Sequence, residues 1–90
     1  VDKAADRQKA AEARKAAAPL KKKADAAEKR LEAAQKKVSE IDEKLVAPGL
    51  SSADMQSLMK ARAEQVEAAE TAEMEWLEAS EAYEEATSEV

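Results

Sequence analysis

Apolar residues repeat at three- and four-residue intervals along the first half of the chain. From Leu20 the spacing alternates between four and three without interruption, and the set comprises Leu20, Ala24, Ala27, Leu31, Ala34, Val38, Ile41 and Leu45. This heptad spacing places an apolar stripe along one side of an α-helix. Because such a stripe is unfavourable in water, a second helix is predicted to cover it.

Proline, glycine and serine mark the end of this helix and the start of the next. The first helix is predicted over about 20–46, because Ala47-Pro48-Gly49 disfavours helix and permits a turn. Ser51 is a predicted N-cap, so the turn covers 47–51 and the second helix about 52–87. A connection this short makes two long helices antiparallel neighbours.

The second helix has a less regular apolar stripe. Arg62 and Gln65 fall on or beside it, where their aliphatic stems can pack while their polar ends reach water. Folding at the turn pairs positions whose numbers sum to roughly 100, which places Trp76 opposite Ala24. Trp76 and Leu77 could anchor a partner, but this position of Trp76 favours packing within the hairpin. The predicted stripe contains Met55, Leu58 or Met59, Val66, Ala69, Ala72, Trp76, Ala79 and Tyr83.

The first eighteen residues read as a helical extension. Ala10, Ala13 and Ala17 continue the stripe of the first helix in phase. Pro19 lacks an N–H and its ring crowds the carbonyl four residues earlier, so a kink or a break is expected there. The predicted fold is all-α: an antiparallel two-helix coiled coil (an αα-hairpin) over 19–90, preceded by a Pro-kinked or broken N-terminal helical extension over 1–18.

The composition excludes most kinds of catalytic site. The chain has no Cys, no His and a single Gly, so it has no thiolate, no imidazole base and no glycine-rich phosphate loop. The glutamates of the second helix could bind a divalent ion, but such rows are far more often solvated. We therefore expect no enzyme and no cofactor or metal in this segment. It lacks a membrane-length apolar run and begins at Val1 without Met, so we expect part of a longer cytoplasmic polypeptide, monomeric as a hairpin.

Charge is divided unequally between the two halves. Residues 1–47 hold 13 Lys and Arg against 9 Asp and Glu, whereas residues 48–90 hold 2 against 11. Attraction between the helices favours the hairpin, although an exposed ion pair contributes only about 0.2–1 kcal/mol. On the flank of the stripe, the predicted pairs are Lys23 with Glu75, Arg30 with Glu70, and Lys37 with Glu64.

A basic stripe on the first helix is the candidate functional site. Lys15, Lys22, Lys29 and Lys36 repeat every seven residues on the side facing away from the second helix, and Lys21, Lys23, Arg30 and Lys37 flank them. Heptad-spaced side chains stand roughly 10 Å apart, a spacing that could follow a nucleic-acid backbone. No aromatic residue lies in the stripe, so binding should involve phosphates and be sensitive to salt. The alternative role is solubility and helix pairing, which the net charge of −5 favours.

Three segments of the chain form a distinctive set by their order and spacing. They are Ala18-Pro19-Leu20-Lys21-Lys22-Lys23 followed by Ala27-Glu28-Lys29-Arg30-Leu31, the turn Ala47-Pro48-Gly49-Leu50, and Glu73-Met74-Glu75-Trp76-Leu77-Glu78 followed by Glu81 and Tyr83. Together they resemble the C-terminal coiled-coil domain of bacterial ABC-F proteins, soluble ATP-binding-cassette ATPases that lack transmembrane domains and act on the ribosome. The resemblance extends from about Ala11 to Ala86.

This resemblance implies a two-helix arm that follows tandem ATPase domains of the same chain. The ATP and Mg²⁺ site would then lie before Val1, and the arm would contact DNA or ribosomal RNA on the ribosome. The acidic net charge departs from the strongly basic domains of some family members. Two alternatives remain: a protein-interaction or spacer hairpin without nucleic-acid binding, and the helical arm of an RNA-binding enzyme such as an aminoacyl-tRNA synthetase.

Overall fold

Two long antiparallel helices form the molecule. The computed structural model describes residues 3–88, in which α1 covers Lys3–Leu45 and α2 covers Ser52–Ser88. The predicted all-α helical hairpin is confirmed. The outermost residues of the predicted extension and hairpin, 1–2 and 89–90, lie outside this range. The hairpin is a rod with extents of 73 × 15 × 14 Å.

Pro19 does not break α1. The helix is continuous from Lys3 to Leu45 with Pro19 inside it, so the alternative of a broken extension is wrong. A proline within a helix removes one backbone hydrogen bond. Pro19 lies on the exposed side of α1, where water can hydrate the carbonyl that loses its partner. The predicted extension and the first helix are therefore one structural element.

The turn between the helices has the predicted cap chemistry. Gly49 adopts a φ of +81°, a conformation that costs other residues energy because of their Cβ atom. The Ser51 side-chain Oγ accepts a hydrogen bond from the Asp54 backbone N–H at 3.1 Å, as an N-cap does. The first helical bond of α2 runs from the Met55 N–H to the Ser51 carbonyl at 2.9 Å. These contacts start α2 at Ser52.

The pairing of the two helices differs from the predicted register by four to five residues. Arg30 contacts Glu75 and Asp42 contacts Arg62, whereas the prediction placed Arg30 beside Glu70. In this register, the first two turns of α2 extend past the end of α1. Residues of the turn, together with Lys44 at the end of α1, line a cleft with Asp54, Ser57 and Leu58, so the connection lies beside the start of α2. The predicted register treated the turn as a simple reversal, so its pairing of Arg30 with Glu70 was wrong, whereas Ala24 and Trp76 line the same cleft as predicted.

In this register, one side of α2 packs against α1 and the opposite side is exposed. Met55 and Met59 are 42% and 59% exposed, because they lie beyond or beside the end of α1. Leu58, Arg62 and Gln65 are half-buried in the positions that continue the stripe of Ala69 and Ala72. The stripe that packs against α1 is thus Leu58, Arg62, Gln65, Ala69, Ala72, Trp76, Ala79 and Tyr83.

Alanine dominates the packed interface. The buried residues of α1 are Ala17, Ala24, Ala27, Ala34 and Ile41, and those of α2 are Ala72 and Ala79. Small side chains allow the two backbones to approach closely, while they bury little area each. Since α2 ends opposite the region of Ala17, the part of α1 before it extends past α2 as a single helix.

Candidate nucleic-acid interface

Four lysines form a straight row on the outer side of α1. Lys15, Lys22, Lys29 and Lys36 are all exposed, and they share one helical position in successive heptads. The buried Ala24 and Ala27 define the side of α1 that faces α2, and the row lies opposite to them. We call these four residues the outer lysine row. Lys15 lies on the part of α1 that extends past the end of α2. Lys22, Lys29 and Lys36 lie on the part of α1 that pairs with α2.

The four flanking cations divide between two sides of the hairpin. Lys23, Arg30 and Lys37 occupy one flank of the outer lysine row and Lys21 occupies the other, and all four are exposed. Lys37 lines a shallow cleft between the helices that also contains Glu64. Lys21 lines a separate cleft beside Trp76, Tyr83 and Glu84. The sequence predicted four lysines in a row with four flanking cations, and in the structure Lys21 lies on the opposite flank from the other three. We call the outer lysine row together with Lys23, Arg30 and Lys37 the basic surface.

Arg30 is partly engaged in helix pairing. Its guanidinium forms an ion pair with the Glu75 carboxylate, with the two side chains 56% and 35% exposed. The Arg30 Nε also donates to the Ala26 carbonyl at 3.4 Å. Within residues 3–88, the other seven candidate cations have no ion-pair partner. Those seven ammonium groups can accept an external anion without first breaking an internal ion pair.

Acidic residues of α1 border the outer lysine row on the flank of Lys21. Asp25, Glu28 and Glu32 follow one another at helical spacing there, and all three are exposed. Asp25 and Glu32 each stand three or four residues from two lysines of the row, which makes them its neighbours on the helix surface. A phosphate at the outer lysine row would therefore experience repulsion from these carboxylates as well as attraction to the lysines.

A second ion pair joins the helices near the turn. The Arg62 Nε donates to Asp42 Oδ1 at 2.6 Å, and Nη2 donates to Oδ2 at 3.5 Å. The hydrogen bond and the negative charge of Asp42 raise the pKa of Arg62. The sequence pattern predicted that the polar end of Arg62 would reach water, and it did not indicate this pair. The position of Arg62 on the apolar stripe could have indicated an anionic partner on α1. The identity of that partner depended on the register of the two helices.

Two kinds of functional feature are absent from the part of the chain that the structure describes. Among residues 3–88, no group of three or more acidic, histidine or cysteine side chains is placed to hold a metal ion. Neither helix in that range contains a stretch long and apolar enough to cross a lipid bilayer. The clefts described above lie between the two helices or beside the turn and are open to solvent.

Comparisons of the chain with protein-family models, curated proteins and solved structures found no match.

Proposed function

We propose that this hairpin is a non-catalytic arm that contacts the phosphate backbone of nucleic acid, DNA or ribosomal RNA, through the basic surface of α1. The observation that carries the proposal is the outer lysine row with its flanking cations. These side chains are exposed, and all but Arg30 lack an ion-pair partner in the described range. The four residues of the outer lysine row are displayed on the side of the rod remote from the acidic α2, and the flanking cations lie nearer to it.

The mode of contact follows from the spacing and the side-chain types. Lysines on successive heptads, roughly 10 Å apart, provide point charges along one line of a rigid helix. Trp76 and Tyr83 are half-buried against α1, which limits their ability to stack on bases. Binding should consequently depend on phosphates, weaken steeply with salt and discriminate little between base sequences.

The resemblance to ABC-F coiled-coil domains supports a particular setting for the arm. In this proposal, the hairpin follows tandem cytoplasmic ATPase domains of the same polypeptide and reaches toward nucleic acid on the ribosome. ATP and Mg²⁺ would bind in those ATPase domains, while the hairpin supplies only contact. The segments that carry the resemblance include part of the basic surface, from Lys22 to Arg30.

Fluorescence-anisotropy titration with duplex DNA and with structured RNA, each at two salt concentrations, tests the proposal. The triple variant Lys22→Glu, Lys29→Glu, Lys36→Glu is expected to lose at least about tenfold in affinity at low salt, because three phosphate contacts become repulsive. A matched control, Lys3→Glu, Lys9→Glu, Lys60→Glu, changes the net charge equally at exposed positions outside the basic surface. Circular dichroism verifies that both variants remain helical.

Equal affinities of wild type and the triple variant would overturn the basic-surface mechanism. Equal losses in the triple variant and its control would show that net charge alone governs binding.

A spacer or protein-interaction hairpin is the second candidate. The Arg30–Glu75 pair favours it, because it shows one cation of the basic surface used for helix pairing. Absence of binding to both nucleic acids at low salt would support this candidate over the first.

A further inference from the structure

Two large apolar side chains in the middle of α2 point away from the hairpin interface. Met74 and Leu77 are 63% and 45% exposed, whereas Ala72 and Ala79 on the same helix are 2% and 3% exposed. A scattered apolar residue on a protein surface needs no explanation. Here, however, two large apolar residues stand one helical turn apart, while alanines occupy the buried positions. The outward face of α2 therefore holds apolar area that the hairpin leaves uncovered.

These two residues form the centre of a second heptad stripe. Spacings of three and four residues alternate through Glu67, Glu70, Met74, Leu77, Glu81 and Glu84, and all six residues are exposed. We call this set the α2 outer stripe. At about 1.5 Å per residue, it extends over roughly 25 Å of a straight helix. Such regular spacing presents one continuous line to a partner, with apolar groups in the middle and carboxylates toward both ends.

The carboxylates of the stripe are available to a partner. Within residues 3–88, none of its four glutamates forms an ion pair, since Glu75 and Asp42 are the acidic members of the two pairs present. The basic residues of α2 are Lys60 and Arg62, both before the stripe. All four charged members of the stripe are therefore anionic; cations of α1 approach only its two ends, where Lys21 lines a cleft with Glu84, and Arg30 and Lys37 line one with Glu67. An occupant must supply positive charge on both sides of an apolar centre.

We propose that the α2 outer stripe docks a basic amphipathic helix of another protein, with apolar residues at its centre and Lys or Arg toward both ends. Helix pairing of this kind uses apolar contacts for affinity and flanking charges for partner choice. This inference goes beyond the proposed contact with nucleic acid, because it uses the opposite helix and stands if that contact fails. Together, the two faces would let the arm bridge a phosphate backbone and a basic protein.

A designed peptide provides the probe. It is a helical peptide with two Leu three residues apart at its centre and two Lys on the same face toward each end, labelled for anisotropy. We expect saturable binding to the wild-type hairpin that weakens as salt is raised. Two companion peptides carry Ser in place of Leu or Glu in place of Lys. Each is expected to bind at least about tenfold more weakly, because the first lacks the apolar contacts and the second lacks the attraction to the glutamates.

Paired variants locate the binding surface. Met74→Ser with Leu77→Ser should weaken binding of the Leu–Lys peptide by at least about tenfold while leaving the helical content unchanged, since both side chains are exposed. Met55→Ser with Met59→Ser is the matched control. These residues are also exposed on α2 but lie outside the stripe, so the affinity should remain that of the wild type.

Three results would overturn the proposal. The first is equal binding of the Leu–Lys peptide to the Met74/Leu77 variant and the wild type, which would indicate attraction by net charge alone. The second is equal binding of the Ser-substituted peptide. The third is absence of peptide binding together with self-association of the wild type in sedimentation, which the Met74/Leu77 variant abolishes. That result would assign the stripe to contact with a second copy of the chain.

Discussion

The two helices of this hairpin divide packing and surface chemistry in opposite ways. α1 buries five residues on a regular heptad and exposes an outer lysine row, whereas α2 buries two alanines and exposes glutamates with Met74 and Leu77. Both helices contribute to the same interface, but α1 has the more regular apolar pattern. Because small alanine side chains fill the interface, the outer face of each helix remains exposed, and it carries lysines on α1 and glutamates on α2.

A charge placed in the interface of α1 should cost the hairpin the most stability. Ala27 is 0% exposed, so Ala27→Glu buries a carboxylate without a designed partner. We expect the free energy of unfolding to fall by about 3 kcal/mol or more, enough to separate the helices. Ala26→Glu is the matched control, because Ala26 is the exposed neighbour, and its effect should stay within about 0.5 kcal/mol. Urea unfolding followed by circular dichroism measures both, and equal effects would contradict the assigned interface.

Truncating one apolar residue in each helix tests which of the two residues is packed within the hairpin. Ile41 is 9% exposed and Met74 is 63% exposed. Ile41→Ala should cost about 2 kcal/mol through lost burial, while Met74→Ala should change stability by less than about 0.5 kcal/mol. Thermal unfolding of the two variants provides the measurement. A larger loss for Met74→Ala would mean that the outer face of α2 is packed within the molecule.

The smallest expected effect concerns the charge pairing between the helices. Because Arg30 and Glu75 are both partly exposed, Glu75→Gln should lower the free energy of unfolding by less than about 1 kcal/mol. The loss should shrink further at high salt, since screening already weakens the pair. Glu78→Gln removes a nearby exposed carboxylate and serves as the control. A loss above that of Ile41→Ala would show that charge rather than apolar burial holds the hairpin together.

The regular features of the fold could be predicted from particular residues. The unbroken four-three spacing from Leu20 to Leu45 identified the buried side of α1, and Pro48, Gly49 and Ser51 located the turn and the next helix. The outer lysine row followed from the same heptad. These features depend on local chemistry, which the sequence contains directly.

The register could not be predicted, because alanine contacts are nearly interchangeable along the helix. Neither Ala24 nor Ala34 has a size or shape that selects one partner on α2. The path of residues 46–51 set the offset, and this path brought Arg62 rather than Met59 to the interface. The partners of Arg30 and Asp42 on α2 depended on that offset. Such pairs are tertiary features, and local patterns did not specify them.

Lysine footprinting most directly tests the claim that α1 carries the nucleic-acid contact. The full chain is acetylated with and without a saturating nucleic acid at low salt, and mass spectrometry measures the modification of each lysine. We predict protection of Lys22, Lys29 and Lys36, with Lys3 and Lys60 modified equally in both states. Uniform protection of all lysines, or protection confined to residues outside the basic surface of α1, would contradict the account.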